Sequence, residues 1–344
     1  MDQIFIDQLN SLLDDIEAIP QKREYWLIRT NSGQYFESFV NFNYVAIGHE
    51  EIPFKKITDL KKSSKTDKAF RGALKEFISE KIPEKIPGLI AGQLIRFIYE
   101  VKKGDIVIVP SENSDYIAIG EILETPILET TDSDILRTDC IYRKRKKVKW
   151  IKTIAKGSID PLFYKVLQSH QAINNISNYS NIIQRSIGDF YKLNGKTSLI
   201  VNVKRRKNVK ANDLMFFGSD LLRLTQDFIN DNNLEIDTSD VDIKINVNSE
   251  GKAQFLSKNG NIVLILGLMI IGLNGGGLKV DYGGFNLDLS TDGIISKVID
   301  YQNNYHDRRI VDELIKSKDS LEIPNNEDLL HYLQQFSSNK NIPK

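Results

Sequence analysis

The sequence has a single cysteine, Cys140, among its 344 residues. One thiol excludes an intramolecular disulfide and any zinc site built from several cysteines. The start, MDQIFIDQLN, lacks the basic and apolar regions of a signal peptide, so we expect a cytoplasmic protein. The apolar run over residues 262–273 is shorter than the about 20 residues that a helix needs to cross a bilayer, so we expect no membrane span.

The formal net charge is zero, which gives the chain no overall attraction to nucleic acid or to an anionic membrane. Local basic runs are present instead. Residues 137–165 contain ten Lys/Arg and two Asp, and residues 192–210 contain seven Lys/Arg and no acidic residue. Any polyanionic partner is therefore expected to bind at a local patch.

Hydrophobic periodicity predicts α and β structure in the first half of the chain. Apolar residues spaced for a helix occur over residues 5–19, and a second helix is predicted from Leu89 to Glu100, ended by Gly104. The predicted strands are YWLIRT (25–30), QYFESF as its hairpin partner, YVAIG (44–48), IVIVP and YIAIGEIL.

The pattern changes after about Trp150. SLIVNVK alternates like a strand, DLMFFGSDLLRLTQDFI has one apolar helical stripe, and VDIKINV and KAQFL predict a hairpin. This β-α-β-β order predicts a second, smaller α/β domain.

Four segments together carry a family resemblance: YWLIRT, VAIG, GQLIRFIYEVKKGDIVIVP and IAIGEI. They resemble the N-terminal domain of Mrr-type restriction endonucleases and, more loosely, PUA-like and EVE domains, over about residues 25–154. The resemblance implies an α+β fold whose first domain is a PUA/EVE-like β-barrel with helices. It also implies binding of RNA or of DNA with modified bases, in which the DNA readers hold an extruded base between aromatic rings.

The resemblance directs attention to the aromatic residues on or beside the proposed sheet. Stacking contributes about 1–3 kcal/mol per base and extrusion costs a few, so at least two rings and further polar contacts are needed. We expect Trp26 and Tyr116 to line the pocket, together with Tyr35. Arg29, Gln93, Asp105 and Ser111 are predicted to contact the base edge or phosphates, and Lys102 and Lys103 to meet phosphates. For each aromatic residue alone, core packing is the competing interpretation.

The two basic runs supply further predicted nucleic-acid contacts. CIYRKRKKVKW resembles the last strand of the domain family, and alternation places its basic residues on both faces of that strand. The predicted contacts are Arg143, Arg145, Lys147, Lys204, Arg205 and Arg206. The alternative is a solvated edge strand whose lysines prevent aggregation.

A catalytic centre is not expected, and neither is a cofactor or a metal site. A nuclease of the restriction type needs two acidic magnesium ligands and a lysine at the end of a short sheet. The nearest candidates are Asp189 and Lys204, but Asn202 stands where the second acid belongs. A diverged magnesium-dependent nuclease remains an alternative.

The apolar residues 262–277 allow two readings: a buried helix closed by glycines, or a surface for self-association or membrane contact. The expected domains are a helix at 1–24, the nucleic-acid-binding domain at 25–155, a helical connector at 156–195, an α/β assembly or effector domain at 196–302 and a helical tail at 303–344.

These observations favour a DNA-binding protein of prokaryotic defence, related to restriction, that reads a modified or extruded base and assembles or signals through its second domain. The expected partners are DNA, a second copy of the chain and other proteins of the defence system. An effector that oligomerises or acts on membranes through residues 262–277 is the other alternative.

Overall fold

Residue contacts divide the chain, seen in a computed structural model, into two units. The half-barrel unit comprises Lys22–Ile187, and the composite unit comprises Met1–Gln21 with Gly188–Lys344. The structure describes residues 2–340 except 17, 124–126, 160, 170, 248–250, 274–278, 283–284 and 289–292.

Helices and strands alternate irregularly along both units, as expected for a mixed α/β protein. The described strands are β1 (Tyr25–Ile28), β2 (Tyr44–Ile47), β3 (Ile106–Pro110), β4 (Tyr116–Ile122), β5 (Leu128–Glu129), β6 (Lys144–Ala155), β7 (Ile173–Asn175), β8 (Phe190–Leu193), β9 (Lys196–Val203), β10 (Asp242–Val247), β11 (Gly251–Ser257), β12 (Lys279–Tyr282) and β13 (Phe285–Asp288). The described α-helices are α1 (Asp2–Asp15), α2 (Phe36–Asn41), α3 (Phe54–Ser63), α4 (Asp67–Lys81), α5 (Pro87–Ile95), α6 (Asp132–Thr138), α7 (Ser180–Ile187), α8 (Ala211–Asp231), α9 (Gly260–Gly272), α10 (Gly293–Asn304), α11 (Arg308–Ser320) and α12 (Glu327–Lys340).

The half-barrel unit is built on one curled sheet with the strand order β2-β6-β4-β3-β1-β7, and β5 pairs with β6. Strand β1 lies parallel to β3 and antiparallel to β7. Because side chains alternate between the faces of a strand, β1 contributes to two cores. Trp26 and Ile28 pack with helices α2 to α5, whereas Tyr25 and Leu27 pack with Phe163 and its neighbours.

One predicted strand is a helix. QYFESF was expected to pair with β1, but residues 36–41 form α2, and β7 pairs with β1 instead. The i, i+3 spacing of Phe36 and Phe39 places both rings in the core from one turn of helix. Asn31 and Ser32 before it have positive φ angles of 51° and 57°, so the chain passes through two left-handed residues before α2 begins.

The predicted helix ending in KKGD is present and has an unusual last turn. Helix α5 continues as one π-helical turn, Arg96–Glu100, and Gly104 has a φ of 87°, a conformation that favours glycine. Lys146 of β6 is buried, and its Nζ donates to the carbonyl oxygens of Val101 (2.7 Å) and Ile98 (3.5 Å). This ammonium group satisfies carbonyls that a helix end leaves without partners.

The composite unit contains a second sheet with the order β10-β11-β9-β8, which confirms the predicted β-α-β-β sequence of elements. One large core joins this sheet to α1 and to helices α8 through α12. Helix α9 is central to that core, since its residues Ile262–Gly272 are all buried. Burial on every side explains why its apolar residues show no periodicity.

The structure divides the chain differently from the sequence. Residues 156–187 belong to the half-barrel unit because β7 pairs with β1, so they are not a separate connector. Helix α1 packs through Phe5 and Leu9 into the composite core, although its neighbours in sequence belong to the other unit. Residues 303–336 are part of that core as well, with Leu314 and Leu329 fully buried, rather than a tail.

Candidate ligand cavity

A cavity of about 780 Å³ opens inside the half-barrel unit. Its walls come from the end of β1, the segment after β2, helix α5 and the residues that precede β6 and β7. The volume lies within the range typical of small-molecule sites in proteins. The cavity is lined by both aromatic and polar side chains, which makes it the candidate functional site.

Two tyrosines form the aromatic wall. The rings of Tyr35 and Tyr142 meet edge to face, with centroids 4.9 Å apart and planes at 69°. The Tyr142 ring lies against Gly48, where an added Cβ would be only 2.8 Å from Cε1, so only glycine fits beneath that ring. Burial raises the pKa of both phenols, which keeps their hydroxyl groups protonated.

His49 and Gln93 form a polar pair on another wall. His49 Nε2 lies 3.1 Å from Gln93 Oε1, and since an amide oxygen only accepts, the imidazole carries its proton on Nε2. Burial lowers the pKa of His49, and the nearby Lys144 and Lys85 act in the same direction. The pair therefore presents an imidazole acceptor, Nδ1, and the Gln93 Nε2 donor, neither of which bonds to a described residue.

Lys144 holds the turn that carries His49. His49 has a φ of 65°, a left-handed conformation that costs a residue other than glycine about 1–2 kcal/mol. The buried Lys144 Nζ donates to the His49 carbonyl oxygen (3.1 Å) and to Glu50 Oε1 (3.3 Å). Glu50 Oε1 also accepts from the backbone N–H of Arg143 (3.2 Å). Strand β6 thereby fixes the position of the imidazole.

Arg29 brings an anchored positive charge to the cavity. Its Nε donates to the Ser169 carbonyl oxygen (2.7 Å) and its Nη2 to that of Leu167 (2.6 Å). The Nη1 group makes no hydrogen bond with any described residue. Burial lowers the pKa of the guanidinium, but arginine stays charged in proteins. The cavity thus has one fixed cation with a free donor.

Three of the residues predicted from the sequence line this cavity: Arg29, Tyr35 and Gln93. Trp26 does not, and the expectation that it lines an open pocket is wrong. Its ring is 1% exposed, and its Nε1 donates to Asp105 Oδ2 at 3.0 Å. Asp105 also accepts from the backbone N–H groups of Glu24 and Lys102. Trp26 and Asp105 therefore hold the sheet to the KKGD turn.

Tyr116 and Ser111 also lie away from the cavity. Ser111 Oγ accepts from the Tyr116 backbone N–H (2.9 Å) in the loop between β3 and β4, and the Tyr116 ring is 54% exposed. Neither residue is among those lining the cavity. Lys102 and Lys103 are exposed at the turn before β3, also outside the cavity.

The basic residues at the start of β6 and just before it bond within the unit, whereas Lys147, Lys149 and Lys152 further along the strand are exposed. Arg143 forms an ion pair with Asp132. Arg145 is buried, donates to the Cys140 carbonyl oxygen (2.8 Å) and lies 4.2 Å from the Tyr44 ring centroid. Of the predicted contacts in this strand, only Lys147 is exposed. The expectation that Arg145 faces a nucleic acid is therefore wrong, because its guanidinium is buried against partners within the unit. The Arg143 side chain remains 41% exposed beside Asp132, so its contact with nucleic acid stays a prediction.

The proposed nuclease geometry is also wrong. The Asp189 carbonyl oxygen accepts from the Ile200 backbone N–H (2.7 Å), which places Asp189 opposite Ile200. Lys204 follows four residues later in an extended strand, about 13 Å away at the usual rise per residue. Arg205 donates to the Ser320 carbonyl oxygen (2.7 Å), while Lys204 and Arg206 are exposed. These residues do not converge on a metal site.

The apolar segment is buried over the part that the structure describes. Ile262–Leu273 lie in the composite core, so this stretch offers no surface for self-association. Residues 274–277 lie outside the described residues. Among the helices described, none is both long and apolar enough to cross a membrane.

Among the cavity residues that sequence reasoning missed are His49, Glu50, Lys85 and Tyr142. His49 and Glu50 follow directly after the strand YVAIG, which was the one available signal. Lys85 and Tyr142 carried no such signal, since Tyr142 lies in the run CIYRKRKKVKW, whose cations were the predicted contacts, and Lys85 lies in a connection between two helices.

The comparisons with known proteins concern the same half-barrel unit. Residues 25–177 match the model of a family described as a domain of unknown function (DUF8426). The matched range begins with β1, ends just after β7 and includes every element that lines the cavity. No curated protein and no solved structure matches the chain.

Proposed function

We propose that the half-barrel unit binds DNA and holds one extruded base, including a modified base, in its cavity. The observation that carries this proposal is the combination of the Tyr35–Tyr142 wall, the His49–Gln93 pair and the anchored Arg29 in one cavity. Aromatic faces suit any nucleobase, and an amide with a free donor suits a base edge.

The energy balance favours such a role for this set of side chains. Extrusion of a base costs a few kcal/mol, and stacking on one ring returns about 1–3 kcal/mol. Because the two rings lie at 69° to each other, one of them can stack on a given base, and hydrogen bonds from Gln93 and Arg29 supply the rest of the cost. His49 Nδ1 adds an acceptor, so the pair can contact a base edge that carries both a carbonyl and an amino group.

We further propose that the protein serves a prokaryotic defence system related to restriction, and that the composite unit assembles or signals there. The support is the resemblance of YWLIRT, KKGDIVIVP and IAIGEI to the N-terminal domain of Mrr-type endonucleases and to PUA-like and EVE domains. The curled sheet of the half-barrel unit is compatible with that likeness. Partner proteins of the same system and a second copy of the chain are the expected partners of the composite unit.

The proposal is tested by fluorescence anisotropy with the full chain. The probes are labelled DNA duplexes with one unpaired central base, the corresponding RNA and free mononucleotides, each over a series of salt concentrations. We expect DNA binding that weakens steeply with salt. Absence of DNA binding even at low salt would overturn the proposal. Tight binding of a mononucleotide alone, or of RNA in preference to DNA, would replace it with a different ligand.

A further inference from the structure

Helix α4 carries a stripe of basic residues that lies outside the cavity. Lys68, Arg71 and Lys75 are all exposed, and their spacing of three and four places them on one face of the helix. Among the described residues, none of the three has a hydrogen-bond or ion-pair partner. We name this set the α4 stripe.

The surroundings of the α4 stripe favour a long, thin anion. The three residues are about 4.5 and 6 Å apart along the helix axis, since each residue rises 1.5 Å. Gly72 and Ser79 lie beside the stripe and leave room for close approach, whereas Glu76 and Glu80 lie on another side of the helix. Asp67, one turn before Arg71, is the acid beside the stripe, and it forms an ion pair with Lys61. A DNA strand carries one phosphate charge per about 3.4 Å of helix axis, so a row of cations about 10 Å long faces about three phosphates.

The stripe leads toward the cavity. Lys75 Nζ lies 3.7 Å from the position that a Cβ on Gly88 would take, at the start of α5. Lys85 lies in the connection between α4 and α5, is exposed and lines the cavity. Its charge contributes to lowering the pKa of His49, which places it near the imidazole. The stripe therefore reaches the start of α5, the helix that carries Gln93 to the cavity wall, and Lys85 lies in the connection before that helix.

The first three residues of β6, which belong to the most basic run of the sequence, are poorer candidates for this role. Lys144, Arg145 and Lys146 of β6 are buried, at 1%, 5% and 0% exposure, and bond to groups within the unit. Their charged groups already bond to acceptors within the unit and are therefore not available to phosphates. The α4 stripe has the opposite properties, because it is exposed and has no partners among the described residues.

We propose that Lys68, Arg71 and Lys75 bind the DNA backbone and guide the strand whose base enters the cavity beside Lys85. This inference rests on the proposed function, because it assumes that the cavity receives a base. It assigns the phosphate contacts to α4 rather than to β6.

The test compares two triple variants of the full chain. One is Lys68→Gln, Arg71→Gln and Lys75→Gln. The matched control is Lys22→Gln, Lys149→Gln and Lys152→Gln, which removes the same charge from exposed residues of the same unit. Thermal melting verifies that both are folded. The measurement is the slope of log binding constant against log salt concentration for a short duplex.

We expect the stripe variant to lose about 2–3 from the magnitude of this slope, at about 0.9 for each phosphate contact, and the control to keep it. An unchanged slope in the stripe variant, with DNA binding by the wild type intact, would overturn this inference alone. An equal loss in the control would overturn it too, because the slope would then depend on the total positive charge of the unit and not on the position of the α4 stripe. Failure of the wild type to bind DNA would overturn both proposals.

Discussion

The Nε2 atom of His49 donates a hydrogen bond of 3.1 Å to Oε1 of Gln93 across the wall of the half-barrel cavity. The two residues are on different elements, His49 in the turn after β2 and Gln93 in α5. The bond fixes the imidazole tautomer and orients the amide so that its Nε2 donor remains available. This relationship defines the polar face that a ligand would meet.

The buried His49 makes the stability of the protein depend on pH. Its folded pKa lies below the unfolded value of about 6.5, so the unfolded chain binds a proton more readily. The contribution of His49 to stability is present above about pH 6.5 and is lost as the pH falls through the folded pKa. We expect His49→Asn, which tolerates a positive φ, to lose less stability between pH 7 and 5 than the wild type does. Urea unfolding at both pH values measures this, and parallel losses would contradict the assignment.

Asp105 is expected to be structural. Its carboxylate accepts from Trp26 Nε1 (3.0 Å) and from the backbone N–H groups of Glu24 (3.1 Å) and Lys102 (2.8 Å). Asp105→Ala leaves these donors unsatisfied, so we expect a loss of about 3–5 kcal/mol in the free energy of unfolding. The exposed Asp115→Ala is the matched control, expected to change it by less than about 1 kcal/mol. Similar effects for the two variants would be inconsistent with this role.

The buried ammonium group of Lys146 should weaken the fold at neutral pH. Burial lowers its pKa from 10.5 to about 8. Between these values the unfolded chain binds more protons, so this contribution to stability rises with pH and is lost as the pH falls through about 8. The shift corresponds to at most about 3 kcal/mol at 1.36 kcal/mol per unit.

Lys146→Met removes that titration, so its stability should rise less than that of the wild type between pH 7 and 10. Lys149→Met, on the same strand but exposed, should follow the wild type. Denaturant unfolding over this pH range is the measurement. A wild-type curve that matches the Lys146→Met curve would refute the prediction.

Helix α9 should respond to substitution as a core helix. Ile270 is 3% exposed, whereas Ile4 of α1, in the same unit, is 67% exposed. We expect Ile270→Asp to lower the free energy of unfolding by more than about 4 kcal/mol, since it buries an unpaired charge. Ile4→Asp should be nearly neutral. A folded Ile270→Asp protein with reduced light scattering would instead indicate an association surface.

Local pattern predicted much of the scaffold. The alternation in YWLI and IVIVP gave β1 and β3, and the apolar stripe of DLMFFGSDLLRLTQDFI gave α8. These elements follow periodicity because each buries a regular face. Residues 36–41 do not follow the predicted strand pattern. They form a helix, because that conformation packs both Phe36 and Phe39 into the core.

The site was harder to predict, because it depends on contacts between distant residues. His49 and Gln93 are 44 positions apart, and no local pattern links them. The basic run of β6 looked like a surface, yet Lys146 reaches carbonyls at the end of the π-helical turn and Lys144 holds the His49 turn. A lysine in a strand indicates exposure only when no such acceptors lie within reach.

The central claim is that the cavity holds an extruded base, and the ratio of two dissociation constants tests it. These are measured at one salt concentration for a fully paired duplex and for the same duplex with one unpaired central base. Because extrusion costs a few kcal/mol less from the unpaired site, we predict at least about tenfold tighter binding there. Gln93→Leu should lose this preference, and the exposed Gln21→Leu should keep it. Equal affinity of the wild type for both duplexes would contradict the account.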